Sequence, residues 1–374
     1  MQPSTPGARR SRLPALTGIR FFAAMHVLLL HSLQARWLPG PVRSAVEAGY
    51  TSTSLLFILS GFVLVWVYTT PEGGFRGSRP AFWTARVARV YPLTVLSHLL
   101  VIPVWVGWNG TRDLWTHAAV ALSAQQGWIP PLVNVLNSPA WAVTFLFFAY
   151  ALFPWMAERV RALPERALVP AMAAAWALCV LPGVYVLLAM EGVAGRTVLY
   201  TFPLLRLPEF VFGVLLGRWF LLRGALPART AARVAAASLG VWAAVILAGG
   251  GIPRELLHNG LLAPLQGLLV VALASGGGAV GRFLSTRPLR TLGEAGLAVF
   301  LLHVPVLAWF HAAGWIPGPS LLASTAAYVA YVAATLALSL AAMRWVVDPV
   351  AARARRWTAP APAPEPPPMR LTAV

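Results

Sequence analysis

The feature that most constrains this chain is a series of apolar stretches, each long enough for a helix to cross a bilayer, which takes about 20 residues. Hydrophobic residues make up 58% of the 374 residues and charged residues 11%. Soluble domains carry charge on about a quarter of their residues. We therefore predict an all-α, polytopic membrane protein of about ten transmembrane helices. The expected spans are residues 14–33, 52–70, 90–108, 139–157, 167–190, 199–222, 232–249, 257–275, 294–313 and 321–347.

The positive charge is distributed as in a membrane protein. The formal net charge is +18, from 29 basic and 11 acidic residues, and every basic residue is Arg. The arginines cluster in alternate connections between the expected spans, whereas a nucleic-acid site gathers them on one soluble face. We predict a multi-pass protein of the plasma membrane with both termini cytoplasmic and no nucleic-acid partner. The clustered residues are Arg76, Arg79, Arg86, Arg89, Arg159, Arg161, Arg166, Arg218, Arg223, Arg229, Arg233, Arg282, Arg287 and Arg290.

The two ends of the chain differ in character. Residues 1–350 are predicted to form one transmembrane domain, and residues 351–374 a disordered, Pro-rich cytoplasmic tail. The first apolar stretch contains Arg20 and lacks a small-residue cleavage site, so we interpret it as a retained helix rather than a signal peptide. The single cysteine, Cys179, excludes an internal disulfide and a multi-cysteine metal site, and no metal is expected.

The first expected helix carries two ionisable side chains on one face. Arg20 and His31 are eleven residues apart, which is about three turns and roughly 16 Å along the axis. Such side chains are costly in a bilayer and usually face the bundle interior or a wet cavity. In the alternative interpretation, the Arg20 side chain reaches towards the lipid head groups and the His31 ring is hydrogen-bonded to a backbone carbonyl. Their shared register favours a functional pair.

Three further segments combine polar residues with apolar surroundings. Arg86 and Arg89 lie one helical turn apart just before Tyr91, and arginine pairs hold phosphates well, although an ordinary positive-inside anchor would look the same. Arg206 and Glu209 share a helix face and are favoured as a structural ion pair. Ser60 interrupts an apolar run, as small residues do where helices pack closely.

Taken in order, these segments resemble the acyltransferase 3 family of membrane O-acyltransferases. The matching segments are L-x-G-I-R from Leu16 followed by ten residues and His31, LSGF from Leu59, R-x-x-R-x-x-P from Arg86, RLPEF from Arg206 and H-x-P from His303.

The chain departs from the family pattern in the fourth expected helix. Where the family usually reads W-S-L-x-x-E, the Ser position is Ala142 and the Glu position is Leu146. In the ninth expected helix a tyrosine of the family is replaced by Phe300, while His303 is kept. Polar contacts made at the replaced positions in other members are absent from this chain.

The resemblance implies transfer of an acyl group from a cytoplasmic acyl-CoA, such as acetyl-CoA, to a hydroxyl of a natural product or glycan acceptor, with no permanently bound cofactor. A histidine has the pKa range suited to removing the hydroxyl proton. The resemblance implies that His31 is the general base and that Arg20 is its electrostatic or phosphate-contacting partner. Acyl-CoA binding is expected of Arg86, Arg89 and Tyr91. Structural or supporting roles are expected of Ser60, Arg206, Glu209 and His303.

Two alternatives stay open. A transporter or flippase-like protein would also place Arg and His along a path through the membrane, although transporters commonly show inverted repeats and matched broken helices, which this sequence lacks. A degenerate family member would bind its ligand without transferring an acyl group. The missing polar groups at Ala142 and Leu146 keep that second alternative open.

Overall fold

The computed structural model describes residues 12–33, 38–189, 193–249, 251–316 and 321–358. Within these ranges the chain is all-α and has no β-strand beyond a single isolated bridge. The helices are α1 Pro14–Ser32, α2 Gly40–Glu47, α3 Thr51–Tyr68, α4 Arg79–Asn109, α5 Leu114–Leu122, α6 Trp141–Arg161, α7 Glu165–Ala189, α8 Val193–Thr201, α9 Pro203–Arg223, α10 Ala228–Ala248, α11 Arg254–His258, α12 Ala263–Ala274, α13 Gly278–Leu284, α14 Arg287–Glu294, α15 Gly296–Ala312, α16 Leu321–Ala342 and α17 Asp348–Trp357.

In the described part of the chain, nine helical segments are long and apolar enough to cross a membrane. The pair α14 and α15, bent by 62°, adds a tenth if it counts as one span. The prediction of an all-α protein with about ten transmembrane helices is confirmed. The nine segments are Pro14–Ser32, Gly40–Tyr68, Arg79–Asn109, Ser138–Arg161, Glu165–Ala189, Gly195–Arg223, Ala228–Ala248, Arg254–Ala274 and Ala323–Trp357.

Two predicted boundaries are wrong. The third span begins at Arg79 rather than residue 90, because Ser78 caps it by accepting a hydrogen bond from the Ala81 N–H and a proline fits its first turn. The tail predicted from residue 351 begins too early, since α17 continues as a helix to Trp357. Residues 359–374 lie outside the described ranges, and the membrane sides of the termini stay a prediction.

Glycines bring α3 and α9 into direct backbone contact. A Cβ atom on Gly61 would collide with the Phe210 carbonyl of α9, and one on Gly213 would collide with the Ile58 carbonyl of α3. Small residues permit this close packing in membranes, where dispersion contacts rather than water exclusion hold helices together. The contact fixes the polar side chains of the two helices opposite one another.

The bent pair α14 and α15 packs along α1 through another set of glycines. Gly293 lies against the Thr17 backbone and Gly296 against Arg20, so neither position has room for a larger side chain without movement. Beyond the bend, α15 runs in the same direction as α1 and brings His303 beside His31. These two helices therefore form one wall of the site.

Candidate active site

A cavity of about 210 Å³ lies between α1, α3, α4, α6, α14 and α15. Three guanidinium groups line it, those of Arg20, Arg86 and Arg89, together with the hydroxyl-bearing Ser60 and the carboxylate of Glu294. We call this cavity the arginine chamber. It brings together four of the predicted site residues from three helices, and positive charge exceeds negative charge on its walls.

The chamber arginines keep donors free for a ligand. Among the described residues Arg20 has no hydrogen-bond or ion-pair partner, and its side chain is only half-buried. Arg86 donates from Nη2 to the Tyr68 hydroxyl at 2.8 Å, while its Nε has no partner. Free guanidinium N–H groups suit phosphate, which accepts several charge-assisted hydrogen bonds at once.

Arg89 is held only loosely. Its Nη2 donates to the Glu294 carbonyl at 3.3 Å, and its Nη1 lies 3.8 Å from an Asp348 carboxylate oxygen of α17. The two side chains of that ion pair are 40% and 63% exposed, so the pair contributes little to stability. Arg89 can therefore turn towards an anion in the chamber at small cost.

The prediction that Tyr91 helps to bind the donor is not supported by its position. Tyr91 is 38% exposed and does not line the chamber. Because α4 is already helical at residue 79, Tyr91 follows Arg89 by about 200° around the helix and points away from it.

His31 lies at the other end of α1 from Arg20 and does not line the chamber. Its Nδ1 is 2.9 Å from the Val27 carbonyl oxygen and 3.3 Å from Nε2 of His303, which is fully buried. His303 in turn places its Nδ1 3.1 Å from the Val299 carbonyl oxygen. Arg20 and His31, which the sequence predicted to be a functional pair, therefore lie on the same helix but do not contact each other.

These contacts define the tautomers of both histidines in their neutral form. Carbonyl oxygens only accept hydrogen bonds, so Nδ1 of His31 and Nδ1 of His303 each carry the proton. Nε2 of His303 is then an acceptor for the His31 N–H. The Nε2 atom of His31 keeps its lone pair, has no partner among the described residues, and belongs to an exposed side chain. That arrangement suits a proton acceptor.

Phe300 lies between the chamber and the histidine pair. Its side chain lines the chamber, and its ring centre is 6.3 Å from that of His303. On α15 the chamber lining therefore reaches Phe300, one helical turn before His303.

Arg206 and Glu209 form a buried ion pair away from the chamber. Arg206 Nη2 is 2.9 Å from Glu209 Oε2, and both side chains are at most 1% exposed. Ser54 donates to Glu209 Oε1 at 2.6 Å, and Arg206 Nη1 donates to the His258 carbonyl at 2.6 Å. The contacts agree with the structural interpretation, because they join α3, α9 and α11. Sequence reasoning missed Ser54 and His258, whose segments carry no local pattern that aligns them with Arg206.

Helix α6 forms a further wall of the arginine chamber, which the sequence did not predict. Ala142, Leu146 and Tyr150, each four residues from the next, share one face and line the chamber. The positions where the family has Ser and Glu thus face the cavity, and here they are apolar. Tyr150 was missed by sequence reasoning, although it continues the spacing of Ala142 and Leu146. In the described part of the chain no three His, Cys, Asp or Glu side chains converge on a metal site.

Comparison with known proteins identifies the family of this chain. The model of the acyltransferase 3 family, described as an acyltransferase domain, matches residues 13–344. The chain belongs to this family. A relative, the protein named Acyltransferase MdmB of Streptomyces mycarofaciens, is 31% identical over 172 residues, which is 42% of this chain and 42% of the relative. The match therefore spans less than half of the relative's length. No solved structure matches the chain.

Proposed function

We propose that this acyltransferase 3 family member transfers an acyl group from acyl-CoA to a hydroxyl group of an acceptor, with His31 as general base. One observation carries the proposal: α1 aligns a cavity lined by three guanidinium groups with a histidine whose Nε2 has no protein partner among the described residues. The first feature suits a phosphorylated donor and the second suits a hydroxyl acceptor.

The donor would bind with its phosphates at Arg20, Arg86 and Arg89. These residues lie at the end of α1 where the positive-inside rule places the cytoplasm, which is where acyl-CoA is made available. Arg20 and His31 are separated by roughly 16 Å along the helix. The long pantetheine arm of CoA would therefore run through the chamber and past Phe300 to bring its thioester towards His31.

His31 would act on the acceptor in one proton-balanced sequence. Nε2 takes the hydroxyl proton while the oxygen attacks the thioester carbonyl carbon. The tetrahedral intermediate then breaks its C–S bond, and the departing sulfur receives the proton from the imidazolium, which yields an ester and free CoA. His303 and the Val27 carbonyl would hold the His31 ring and its tautomer by accepting the Nδ1 hydrogen bond.

The acceptor would approach from the exposed end of His31, opposite the arginine chamber. We propose a hydroxylated natural product or glycan, and a plasma-membrane protein with both termini cytoplasmic. A transporter is disfavoured by the family match across residues 13–344. A degenerate member is favoured by one observation only, the apolar Ala142 and Leu146 on the chamber wall.

Coenzyme A release by purified protein in detergent tests this proposal. The assay offers acyl-CoAs of several chain lengths with candidate hydroxyl acceptors, and compares native protein with His31→Ala and His311→Ala. We expect release to be lost in His31→Ala and kept in the control, since His311 lies at the end of α15 outside the chamber. Release retained by a folded His31→Ala protein would reject the assigned base, and no release from native protein with any donor would favour the degenerate member.

A further inference from the structure

A second cavity, of about 750 Å³, shares no lining residue with the arginine chamber. Helices α1 and α10 form its side walls, and α3 forms its back. On α1 the lining runs from Ile19 to Leu29, ten residues or about 15 Å along the axis. That length is the depth of one leaflet, since the hydrocarbon core of a bilayer is about 30 Å thick. We call this cavity the α1–α10 crevice.

Helix α13 closes the crevice at the end where α1 begins. A Cβ atom on Gly18 of α1 would collide with the Leu284 carbonyl of α13, and one on Gly278 of α13 would collide with the Ala232 side chain of α10. Helix α13 therefore bridges the two side walls. By the positive-inside rule this end faces the cytoplasm.

Helix α2 closes the other end and uses up the polar groups there. The Ala45 carbonyl accepts a hydrogen bond from Nε2 of His26 at 2.7 Å, so Nδ1 of the same ring accepts one from the Ser52 hydroxyl at 2.8 Å. On the α10 side, a Cβ atom on Gly249 would collide with Ser44 of α2. The polar side chains of the crevice are thus already hydrogen-bonded, and the rest of its lining is apolar.

The remaining side of the crevice opens away from the bundle, towards the bilayer. Three apolar side chains of its lining are exposed there, with Phe22 at 41%, Val42 at 45% and Phe283 at 58%. The rings of Phe22 and Phe283 lie 6.1 Å apart, measured between their centres. A hydrocarbon chain can therefore enter from the lipid side without displacing a helix.

Arginines surround the α13 end of the crevice. Residues 224–248 and 275–293, which include α10 and α13, contain five Arg and no Asp or Glu. Arg282 precedes Phe283 on α13, and Arg233 follows Ala232, the α10 residue that touches α13. Both arginines are exposed, and neither has a carboxylate partner among the described residues. An apolar opening is thus flanked by uncompensated positive charge.

We propose that the α1–α10 crevice holds one acyl chain of an anionic phospholipid of the cytoplasmic leaflet, with the phosphate at Arg282 and Arg233. The crevice suits a hydrocarbon chain because an apolar cavity offers water too few hydrogen-bond partners. The arginines suit a phosphate that carries net negative charge, since basic side chains at the membrane surface attract anionic lipids. The inference does not depend on the proposed acyl transfer.

Two lipids with identical acyl chains test the head-group half of the inference. Phosphatidylglycerol, which is anionic, and phosphatidylcholine, which is neutral overall, are titrated against delipidated full-length protein in neutral detergent. Native mass spectrometry counts the bound lipid, and protection against thermal unfolding gives the affinity. We expect phosphatidylglycerol to bind more tightly, and Arg282→Gln to weaken it roughly fivefold while phosphatidylcholine is unaffected. Arg159→Gln, an exposed arginine in the last turn of α6, should leave both affinities unchanged.

A pair of neighbouring substitutions tests the acyl-chain half. Ala243→Phe places a large side chain in the crevice and should abolish the tight binding of phosphatidylglycerol. Ala244→Phe is the matched control, because Ala244 is exposed on the same helix and does not line the crevice. The unfolding temperature without lipid shows that each variant is folded.

Three results would overturn the inference. Equal affinity of native protein for the two lipids would remove the phosphate from Arg282 and Arg233. Tight binding of phosphatidylglycerol retained by Ala243→Phe would place the acyl chain outside the crevice. Equal losses in Ala243→Phe and Ala244→Phe would indicate general contact of lipid with α10 and not a defined site.

Discussion

Arginines occupy two regions of this membrane bundle in opposite ways. Arg206 is fully buried and bonded on several sides by Glu209 and His258. In the arginine chamber, Arg20 and Arg86 line a cavity, and neither has a carboxylate partner among the described residues. Buried charge is tolerated when it is paired, whereas unpaired charge inside a membrane protein marks a place where a ligand is expected. Pairing with a carboxylate therefore distinguishes Arg206 from Arg20 and Arg86, which we propose to bind the donor.

Breaking the paired region should affect stability most. Glu209→Ala leaves Arg206 as an uncompensated buried charge, and removing one partner of such a pair costs about 3–5 kcal/mol. We expect a strongly lowered thermal unfolding temperature in detergent. Arg20→Ala, a change of similar size in the chamber, should leave that temperature nearly unchanged. Equal destabilisation by both variants would show that pairing does not distinguish the two regions.

Removing a chamber arginine should instead weaken donor binding. Arg86→Gln takes away a charge-assisted donor worth about 1.5–3 kcal/mol, which corresponds to a rise in Kd for acyl-CoA of roughly ten- to hundredfold. The unfolding temperature of the free protein should change little. Arg229→Gln serves as the control, since Arg229 is exposed on α10 outside the chamber. An Arg86→Gln protein with native donor affinity would remove the phosphates from this site.

The histidine pair allows a finer test of positioning. His303→Leu removes one of the two acceptors of the His31 Nδ1 hydrogen and leaves only the Val27 carbonyl, so we expect kcat to fall by about tenfold or more while KM for the donor stays unchanged. His303→Gln offers an amide oxygen as a substitute acceptor and should restore part of the loss. A fall in kcat together with a rise in KM, with no rescue by Gln, would point to a general packing defect.

The smallest effect is expected at the exposed ion pair. Asp348→Asn removes the partner of Arg89, and exposed pairs of this kind contribute about 0–1 kcal/mol. Stability should therefore hardly change, and donor affinity should stay the same or rise slightly, because Arg89 is released towards the chamber. A clear loss of donor affinity would mean that Asp348 orients Arg89 for binding.

The sequence predicted the fold well because its apolar stretches report directly on span length. It could not locate the start of the third span, since an apolar pattern shows where a helix is buried and not where it is capped. Arg79 begins that helix eleven residues before the expected position, so Arg86, Arg89 and Tyr91 all belong to one helix, in which Tyr91 lies about 200° from Arg89. An error in a predicted helix start therefore leads to an error in which residues are expected to share a helix face, and so in the predicted site.

The convergence of the chamber residues could not be derived from local patterns. Arg20, Ser60 and Arg89 belong to three helices, and only the family resemblance indicated that they act together. Tyr150 shows the opposite case, because its spacing from Ala142 and Leu146 was visible but had no meaning until the cavity gave that face a function. Contacts between distant segments depend on the packing of glycines such as Gly61 and Gly296, which the sequence alone does not pair.

The central claim is that the chamber end of α1 binds the donor and that His31 accepts the proton. Its most direct test is the affinity of His31→Ala for S-ethyl-CoA, a non-reactive thioether analogue of acetyl-CoA, measured beside the turnover of acetyl-CoA by the same variant. If the chamber binds the donor and His31 only accepts the proton, the variant should bind the analogue as native protein does and release no coenzyme A. Loss of donor binding together with turnover would contradict the separation of the two ends, and retained turnover would contradict the role of His31.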